Sequence, residues 1–282
     1  MKKVLTAVLF ASLALYGCGD DSSGTGATGG AGATGGDGGS GGTGGAGATG
    51  GTGGAGATGG AGGMGGMLPP GTIYEQNFDS LDITSDVIGD GWLYFNNVID
   101  TTVNPPETRF GYPEPPNNQA PNGTGNISGL VDDQGGDDQG TQQLSVFSDY
   151  GCCDLGGGTP LGHGNGTDQV EVNVFRERTI LAEDVGKTLT FSFDAKAGDL
   201  AGSTTAAGFI KTLDPNNNFN LIDFVTVDTT GIPETWMRYE VSLLIEEGDV
   251  GFILQYGFIN TASDFDSSNN FYDNVLVTLP DA

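Results

Sequence analysis

The side chains in this sequence that are most able to do chemistry are carboxylates, and their spacing does not dictate a reaction. The chain has 36 Asp and Glu against nine Lys and Arg, and one histidine, His163. Pairs of carboxylates can act as general acid and base, and Tyr150 and His163 are candidates for proton transfer. Because acids are so numerous, a carboxylate pair discriminates little, and the sequence contains no nucleophile elbow, metal-ligand helix or phosphate loop. Catalysis is therefore the alternative hypothesis.

Two adjacent cysteines, Cys152 and Cys153, form the second reactive group. In an oxidising exterior they can close a vicinal disulfide that constrains a loop, or they can stay as two thiols. His163 lies ten residues further on. A Cys-Cys-His metal cluster is therefore a second interpretation, although the spacing typical of zinc sites is missing. We predict the disulfide.

The few basic side chains are concentrated in segments of alternating polarity. Arg176, Arg178, Lys196, Lys211 and Arg238 fall in or at the ends of predicted strands. If these cations converge on one face, they can pair with the carboxylate or sulfate groups of an acidic polysaccharide, for which arginine is the better bidentate partner. The alternative is a scatter of cross-strand ion pairs with neighbouring acids, which are common and weakly stabilising.

Two tyrosines are the best candidates for exposed aromatic rings. Tyr112 and Tyr150 lie among Pro, Gly and Asn in the loop-rich region of residues 104–168. Sugars have apolar faces that stack on aromatic rings and hydroxyls that need hydrogen-bonding neighbours, so both tyrosines are candidate ligand-binding residues. Alternatively, either ring caps the end of a sandwich and holds a loop in place.

The net charge of −27 narrows the class of partner. Phosphate binding needs a basic surface, so we expect no nucleic-acid partner. Abundant carboxylates suit two other conditions: they stay hydrated in salty surroundings, and they supply the oxygen ligands that calcium prefers. The composition leaves both interpretations open, and calcium is the cofactor that the second one implies.

The elements that must position these groups are β-strands. Ten segments alternate like strands and are separated by Gly, Pro, Asn and Asp clusters, whereas helical signals are poor. A strand such as Thr188–Ala195 puts Leu189, Phe191 and Phe193 on one face and polar residues on the other. Strands of this kind without crossover helices predict an all-β fold, an antiparallel β-sandwich or jelly roll. The predicted strands are Ile73–Phe78, Trp92–Val98, Gln142–Phe147, Val170–Ile180, Thr188–Ala195, Ala206–Leu213, Leu221–Val227, Met237–Ile245, Phe252–Ile259 and Phe271–Leu279.

The chain begins with a segment that is typical of export. Lys2 and Lys3 precede an apolar run that is too short to span a bilayer, which indicates a signal peptide over residues 1–17. Leu15–Cys18 resembles the bacterial lipobox, and this resemblance implies that Cys18 carries a lipid and anchors the chain. Gly19, in place of an aspartate, implies the outer membrane by its resemblance to enterobacterial sorting signals.

Residues 18–71 are predicted to form a disordered tether. They consist mostly of Gly, Ala and Thr, and such a composition cannot bury enough apolar surface to offset the entropy cost of ordering. The folded domain is therefore predicted over residues 72–282. On this interpretation the domain is exported and touches the membrane only through the lipid anchor.

Ordered phrases in the domain resemble family 4 and 9 carbohydrate-binding modules, which are galactose-binding-like jelly rolls. They are Leu189–Ala197, then Thr235–Trp236 with Tyr239–Leu243, then Phe271–Val277, and the opening Asn77–Asp79 with Gly91–Trp92 fits as well. The resemblance implies a non-catalytic carbohydrate-binding module, with Trp92 and Trp236 in the core. The alternatives are a jelly-roll polysaccharide lyase or glycoside hydrolase, and a surface adhesin or structural protein.

The same resemblance implies a metal site. Related modules bind a structural calcium between the N-terminal segment and an aspartate of the final strand, and here Glu75 or Asp79 and Asp273 match those positions. The alternative is that loop aspartates such as Asp132, Asp133, Asp137 and Asp138 are merely solvated.

Overall fold

The computed structural model describes residues 68–83, 87–112, 128–132, 134–148, 167–263 and 268–281. Within these ranges the chain forms twelve β-strands and three short 3₁₀ turns, with no α-helix. The strands are β1 (Thr72–Gln76), β2 (Leu93–Asp100), β3 (Glu107–Tyr112), β4 (Gly129–Asp132), β5 (Gln142–Phe147), β6 (Asp168–Thr179), β7 (Thr188–Leu200), β8 (Thr205–Asp214), β9 (Asn220–Asp228), β10 (Met237–Leu244), β11 (Ile253–Ser263) and β12 (Ser268–Thr278). The 3₁₀ turns are Val87–Asp90, Ala182–Asp184 and Glu247–Asp249.

The strands form two six-stranded antiparallel sheets. Sheet A has the order β10-β7-β12-β5-β4, with β1 also paired to β12, and sheet B has the order β3-β2-β6-β11-β8-β9. Strands that are distant in sequence, such as β7 and β12, are neighbours in space. This arrangement confirms the predicted all-β sandwich.

All ten predicted strands are present, and two more lie in the region that we expected to be loop-rich. β3 and β4 both fall between residues 104 and 168. β4 has only four residues, and β3 mixes charged and aromatic residues without an apolar alternation. Because a strand signal depends on several repeats of the two-residue period, segments this short and polar escape it.

The core lies between the two sheets and is built around aromatic rings. Phe258 of sheet B stacks on Tyr272 of sheet A with 3.8 Å between ring centroids, and on Trp92 with 5.9 Å. Phe191 and Phe193 pack against the same Phe258 ring at 5.3 and 4.9 Å. All five side chains are buried. The predicted inward face of β7 and the core position of Trp92 are thereby confirmed.

A hydrogen-bonded cluster joins the two sheets at one end of this core. Tyr74 of β1 donates a short hydrogen bond to Asp90, and it accepts one from Trp92 Nε1 at 2.8 Å. Arg176 of β6 lies over the Tyr74 ring at 3.9 Å and pairs with Asp90 Oδ2 at 3.4 Å. Burial raises the pKa of Tyr74, so the hydroxyl stays protonated and acts as a donor.

Several predictions concern residues outside the described ranges. These are the signal peptide, Cys18 and the glycine-rich tether up to residue 67, together with Tyr150, Cys152, Cys153 and His163. No helix among the described residues is long and apolar enough to cross a membrane.

Gly208 supplies a test of the core packing. A Cβ atom at this position would lie 2.4 Å from two ring carbons of Phe193, whereas a Cβ at Gly248 would meet nothing within 4 Å. We expect Gly208→Ala to lower the free energy of unfolding by about 1–3 kcal/mol through overpacking. Gly248→Ala should change it by less than about 0.5 kcal/mol. Urea denaturation of both variants measures the difference, and equal stabilities would contradict this packing.

Candidate functional site

The outer face of sheet B carries polar side chains on strands whose inner face forms the core. On β6, Val172 and Val174 belong to the core, so the two-residue period turns Glu171, Asn173 and Glu177 outward. Residues paired with them on the neighbouring strands point the same way. The outer face of sheet B comprises Leu93, Phe95, Asn97, Glu171, Asn173, Phe175, Glu177, Ala207, Phe209, Lys211, Phe224, Thr226, Gln255, Gly257 and Ile259.

One row of this face crosses four strands in register. Glu177 lies opposite Gln255, Gln255 lies opposite Lys211, and Lys211 lies opposite Phe224. Gln255 Nε2 donates to Glu177 Oε2 at 2.8 Å. Neighbouring strands are about 4.8 Å apart, so three steps make a row about 14 Å long. The row ends at the Phe224 side chain, which is 47% exposed.

A second hydrogen-bonded group lies beside this row. The Nδ2 atoms of Asn97 and Asn173 both donate to Glu171 Oε1 at 3.0 Å. Lys211 Nζ donates to Asn173 Oδ1 at 3.4 Å. The two asparagines and the lysine are buried although their strands turn them away from the core. This face therefore holds donors and acceptors in fixed positions, which is what the recognition of a polar ligand requires.

Lys211 has an unusual electrostatic environment. Its side chain is 8% exposed, and its Nζ lies 4.8 Å from the Phe209 ring centroid and 5.5 Å from that of Phe175. Burial lowers its pKa to about 8, and the nearby carboxylates of Glu171 and Glu177 oppose the change. An amine of this kind is charged at neutral pH and can donate to a ligand oxygen.

The two carboxylates of this face are poorly placed for hydrolysis. Glu171 and Glu177 are six residues apart on β6, which separates their Cα atoms by about 20 Å. Glycosidases place their two carboxyl groups about 5–10 Å apart. The arrangement suits hydrogen bonding to hydroxyl groups, and the exposed ring of Phe224 suits stacking on an apolar ring face.

The structure does not bring the five predicted cations onto one face, so that prediction is wrong. Arg176 and Arg178 lie on the core side of β6, because they continue the alternation of Val172 and Val174. They pair with Asp90 and Asp184 respectively, in line with the alternative of scattered ion pairs. Of the five, Lys211 alone lies on the outer face of sheet B, while Lys196 and Arg238 lie on the outer face of sheet A, where Arg238 pairs with Asp194.

The aromatic predictions have mixed outcomes. Tyr112 lies on β3 opposite Asn96, but its side chain is outside the described residues, as is Tyr150. Trp236, which the family resemblance placed in the core, is instead partly exposed on the outer face of sheet A, where its Nε1 donates to the Gln134 carbonyl at 3.1 Å. The reason is its register: Trp236 directly precedes Met237, which pairs with Ala195, and its ring lies 5.5 Å from Nζ of the outward-facing Lys196.

Asp273, a predicted calcium ligand, is buried on β12. Its Oδ1 accepts a hydrogen bond from the Asn274 amide at 2.6 Å, while its Oδ2 has no hydrogen-bond partner among the described residues. Burial raises its pKa to about 8, and the carboxylates of Asp79 and Asp194 contribute to this rise. The structure thus brings Asp273 and Asp79 into electrostatic contact and adds Asp194, which the sequence did not suggest. Glu75, the other predicted ligand, is on β1 and lies opposite Leu276 of β12.

The surroundings of Asp273 fit a hard cation in part. Asp79 Oδ1 accepts from Thr141 and Gln142, and the buried Gln142 Oε1, like Asp273 Oδ2, lacks a donor within the described ranges. Calcium takes carboxylate, amide and main-chain oxygens, so these two oxygens are suitable ligands. The set of ligands is incomplete, because the described part of the chain holds no group of three His, Cys, Asp or Glu side chains arranged for a metal.

The residues of the outer face of sheet B that matter most were missed at the sequence level. Asn97, Asn173, Gln255 and Phe224 were not selected, because each is a single polar or aromatic residue in an alternating strand. The usable signal was the run Val170–Phe175, in which Glu171 and Asn173 interrupt valines. It indicates an outward polar face but not which strands lie beside it.

Comparisons with known proteins give only distant likenesses. No family model matches the chain, and no curated protein matches it. Among solved structures, the family 22 carbohydrate-binding module of Clostridium thermocellum xylanase 10B is 14% identical, with a TM-score of 0.36 over 75% of this chain and 96% of that one. The CBM22-1–GH10 modules of the same enzyme, complexed with xylohexaose, are 14% identical, with a TM-score of 0.38 over 76% and 29%.

The enzymatically active domain of bacteriophage CBA120 tailspike protein 4 is also 14% identical, with a TM-score of 0.35. That match covers 54% of this chain and 18% of the tailspike. The chain therefore spans less than a third of the tailspike domain and of the two-module xylanase. Likenesses this weak carry no inference about a ligand, and the site is argued from its own geometry.

The environment of Lys211 predicts a pH dependence of stability. Its folded-state pKa of about 8 lies below the ordinary value of 10.5, so the unfolded chain holds a proton that the folded one has lost between these pH values. The free energy of unfolding should rise across this window, by about 3 kcal/mol. Lys211→Met should remove the rise, and Lys187→Met should keep it. Denaturant titrations from pH 7 to 11 measure the effect; identical profiles for the two variants would contradict this environment.

Proposed function

We propose that the outer face of sheet B is a non-catalytic polysaccharide-binding surface. The observation that carries the proposal is the row from Glu177 through Gln255 and Lys211 to the exposed Phe224. Such a row offers an acceptor, an amide, a cation and a stacking ring at regular spacing. These groups match the hydroxyls and apolar faces that alternate along a glycan.

The charge of this face favours a neutral glycan. The single cation Lys211 is flanked by the carboxylates of Glu171 and Glu177, so the local balance is one positive against two negative groups. A uronate or sulfate placed here would meet net repulsion, whereas carboxylates accept hydrogen bonds readily from sugar hydroxyls. The acidic polysaccharide that converging cations would have bound is therefore the less favoured ligand of this face.

The predicted lipid anchor and tether would place this binding surface outside the cell. We propose that lipidated Cys18 anchors the chain in the outer membrane and that the glycine-rich tether of residues 18–71 holds the domain away from it. Both steps stay predictions from the sequence. A tethered module that binds without cleaving would retain a polymer or a neighbouring cell at the surface.

Calorimetric titration of the whole protein tests glycan binding, with xylohexaose as the neutral probe. Phe224→Ala should weaken binding about tenfold, because a stacked aromatic contributes on the order of 1 kcal/mol. Phe219→Ala is the matched control, since Phe219 is similarly exposed, at 45%, in the turn between β8 and β9. Equal weakening in both variants, or no binding by the wild type, would overturn the assignment of this face.

The same samples separate the alternative functions. After incubation with the protein, xylohexaose should keep its length on size analysis. Shortened chains would instead support a hydrolase or lyase. No binding to any member of a panel of neutral and acidic glycans would favour the alternative of a surface adhesin.

We propose in addition that Asp273, Asp79 and Gln142 hold a structural calcium. The proposal rests on two buried oxygens without donors, Asp273 Oδ2 and Gln142 Oε1, on residues that both interact with Asp79. A bound dication would supply the missing partner for both. It would also keep Asp273 ionised in its buried position.

Removal of calcium should therefore lower the melting temperature by several degrees. Without the ion, the raised pKa of Asp273, about 8, means that its contribution to stability is present at low pH and is lost as the pH rises through 8. The stabilisation by added calcium should accordingly grow from pH 6 to pH 9. Asp273→Asn should abolish it, and Asp137→Asn, in the exposed loop, should not. A melting temperature that EGTA leaves unchanged would exclude the site.

A further inference from the structure

The outer face of sheet A carries a second row of side chains that the proposed function does not use. Trp236 directly precedes Met237, which pairs with Ala195, so Trp236 lies beside Lys196. Lys196 lies opposite Phe271 on β12, and Phe271 lies opposite Ser145 on β5. This row faces away from the core on the sheet opposite to that of Lys211.

Lys196 sits between two aromatic rings. Its Nζ lies 5.5 Å from the Trp236 ring centroid and 5.3 Å from that of Phe271. Among the described residues it makes no ion pair and donates no hydrogen bond. Partial burial lowers its pKa, although Glu234 acts in the opposite direction.

The other basic side chains of the domain are arranged differently. Five of them have a side-chain nitrogen within 3.4 Å of a carboxylate oxygen. They are Arg109, Arg176, Arg178, Lys187 and Arg238. Lys211 donates to Asn173. A partly buried ammonium without such a partner costs free energy, and an anionic ligand would offset that cost. Lys196 is thus a cation that is available to a ligand.

The Trp236 ring beside it is held in place and remains partly exposed. Its Nε1 donates to the Gln134 carbonyl at 3.1 Å, and the main chain at Gly136 packs so closely that a Cβ there would lie 2.7 Å from Trp236 Cδ1. A ring that is fixed before binding loses little entropy when a ligand stacks on it. Phe271 is buried and supports the ammonium from below.

We propose that Trp236 and Lys196, backed by Phe271, form a second binding site whose ligand is a sugar that bears a carboxylate. The carboxylate pairs with Lys196, and the apolar face of the sugar ring stacks on Trp236. The site is separate from the outer face of sheet B. It selects a uronate, where the other face, with two carboxylates around one amine, selects against it.

Titration of the whole protein with trigalacturonate tests this site, and xylohexaose serves as the probe of the other face. Lys196→Met should weaken trigalacturonate binding at least about tenfold and leave xylohexaose binding unchanged. Lys187→Met, which removes a cation paired with Asp281, should alter neither. Phe224→Ala should weaken xylohexaose binding and leave trigalacturonate binding unchanged.

Trp236 offers a readout that does not depend on a variant. The protein has two tryptophans, and Trp92 is fully buried, so quenching of tryptophan fluorescence by a soluble quencher reports Trp236. Trigalacturonate should protect it, and about 0.5 M NaCl should suppress the protection, because the contact is ionic. No binding of trigalacturonate, equal losses in Lys196→Met and Lys187→Met, or unchanged quenching would overturn the site. Failure of xylohexaose alone would overturn the sheet B function and leave this site standing.

Discussion

The stacking of Phe258 on Tyr272 is the contact on which the rest of the sandwich depends. The two rings come from different sheets and lie 3.8 Å apart, with Trp92 and Phe193 packed against Phe258. Once these rings are inside, the two-residue period of each strand decides which neighbours face out. A slip of one residue in β11 would turn Gln255 toward the core and Phe258 away from it. The core therefore determines the outer faces as well as the stability of the fold.

The two outer faces differ in how their lysine side chains are paired. On sheet B, Lys211 donates to the buried Asn173, and Asn173 and Asn97 both donate to the half-buried Glu171. On sheet A, Lys196 sits between aromatic rings, and its ammonium group forms no ion pair among the described residues. Buried polar groups are costly unless they are paired. The difference in pairing is the physical basis for assigning a neutral ligand to one face and a carboxylated one to the other.

The carboxylates of the domain have different electrostatic environments. The few arginines serve mainly as partners for particular carboxylates, as Arg178 does for Asp184 and Arg109 for Asp168. Asp273 lies instead beside two other acids, which together with its burial makes it hard to ionise. Such a group is not part of the solvated acidic surface, and the calcium that we propose would supply a partner for it.

The sequence by itself determined the strands and their alternation, since the two-residue period is a local property that the residues of one segment carry. It failed for β3 and β4, which are too short or too polar to show that period. Counting outward from Val172 would have placed Arg176 on the core side, so that error lay within reach of the sequence. The neighbours of Lys211 could not be predicted from the sequence, because Gln255 and Phe224 lie beside it only through the pairing of β11, β8 and β9. Register between distant strands depends on the packing of the whole core, and only the tertiary structure decided it.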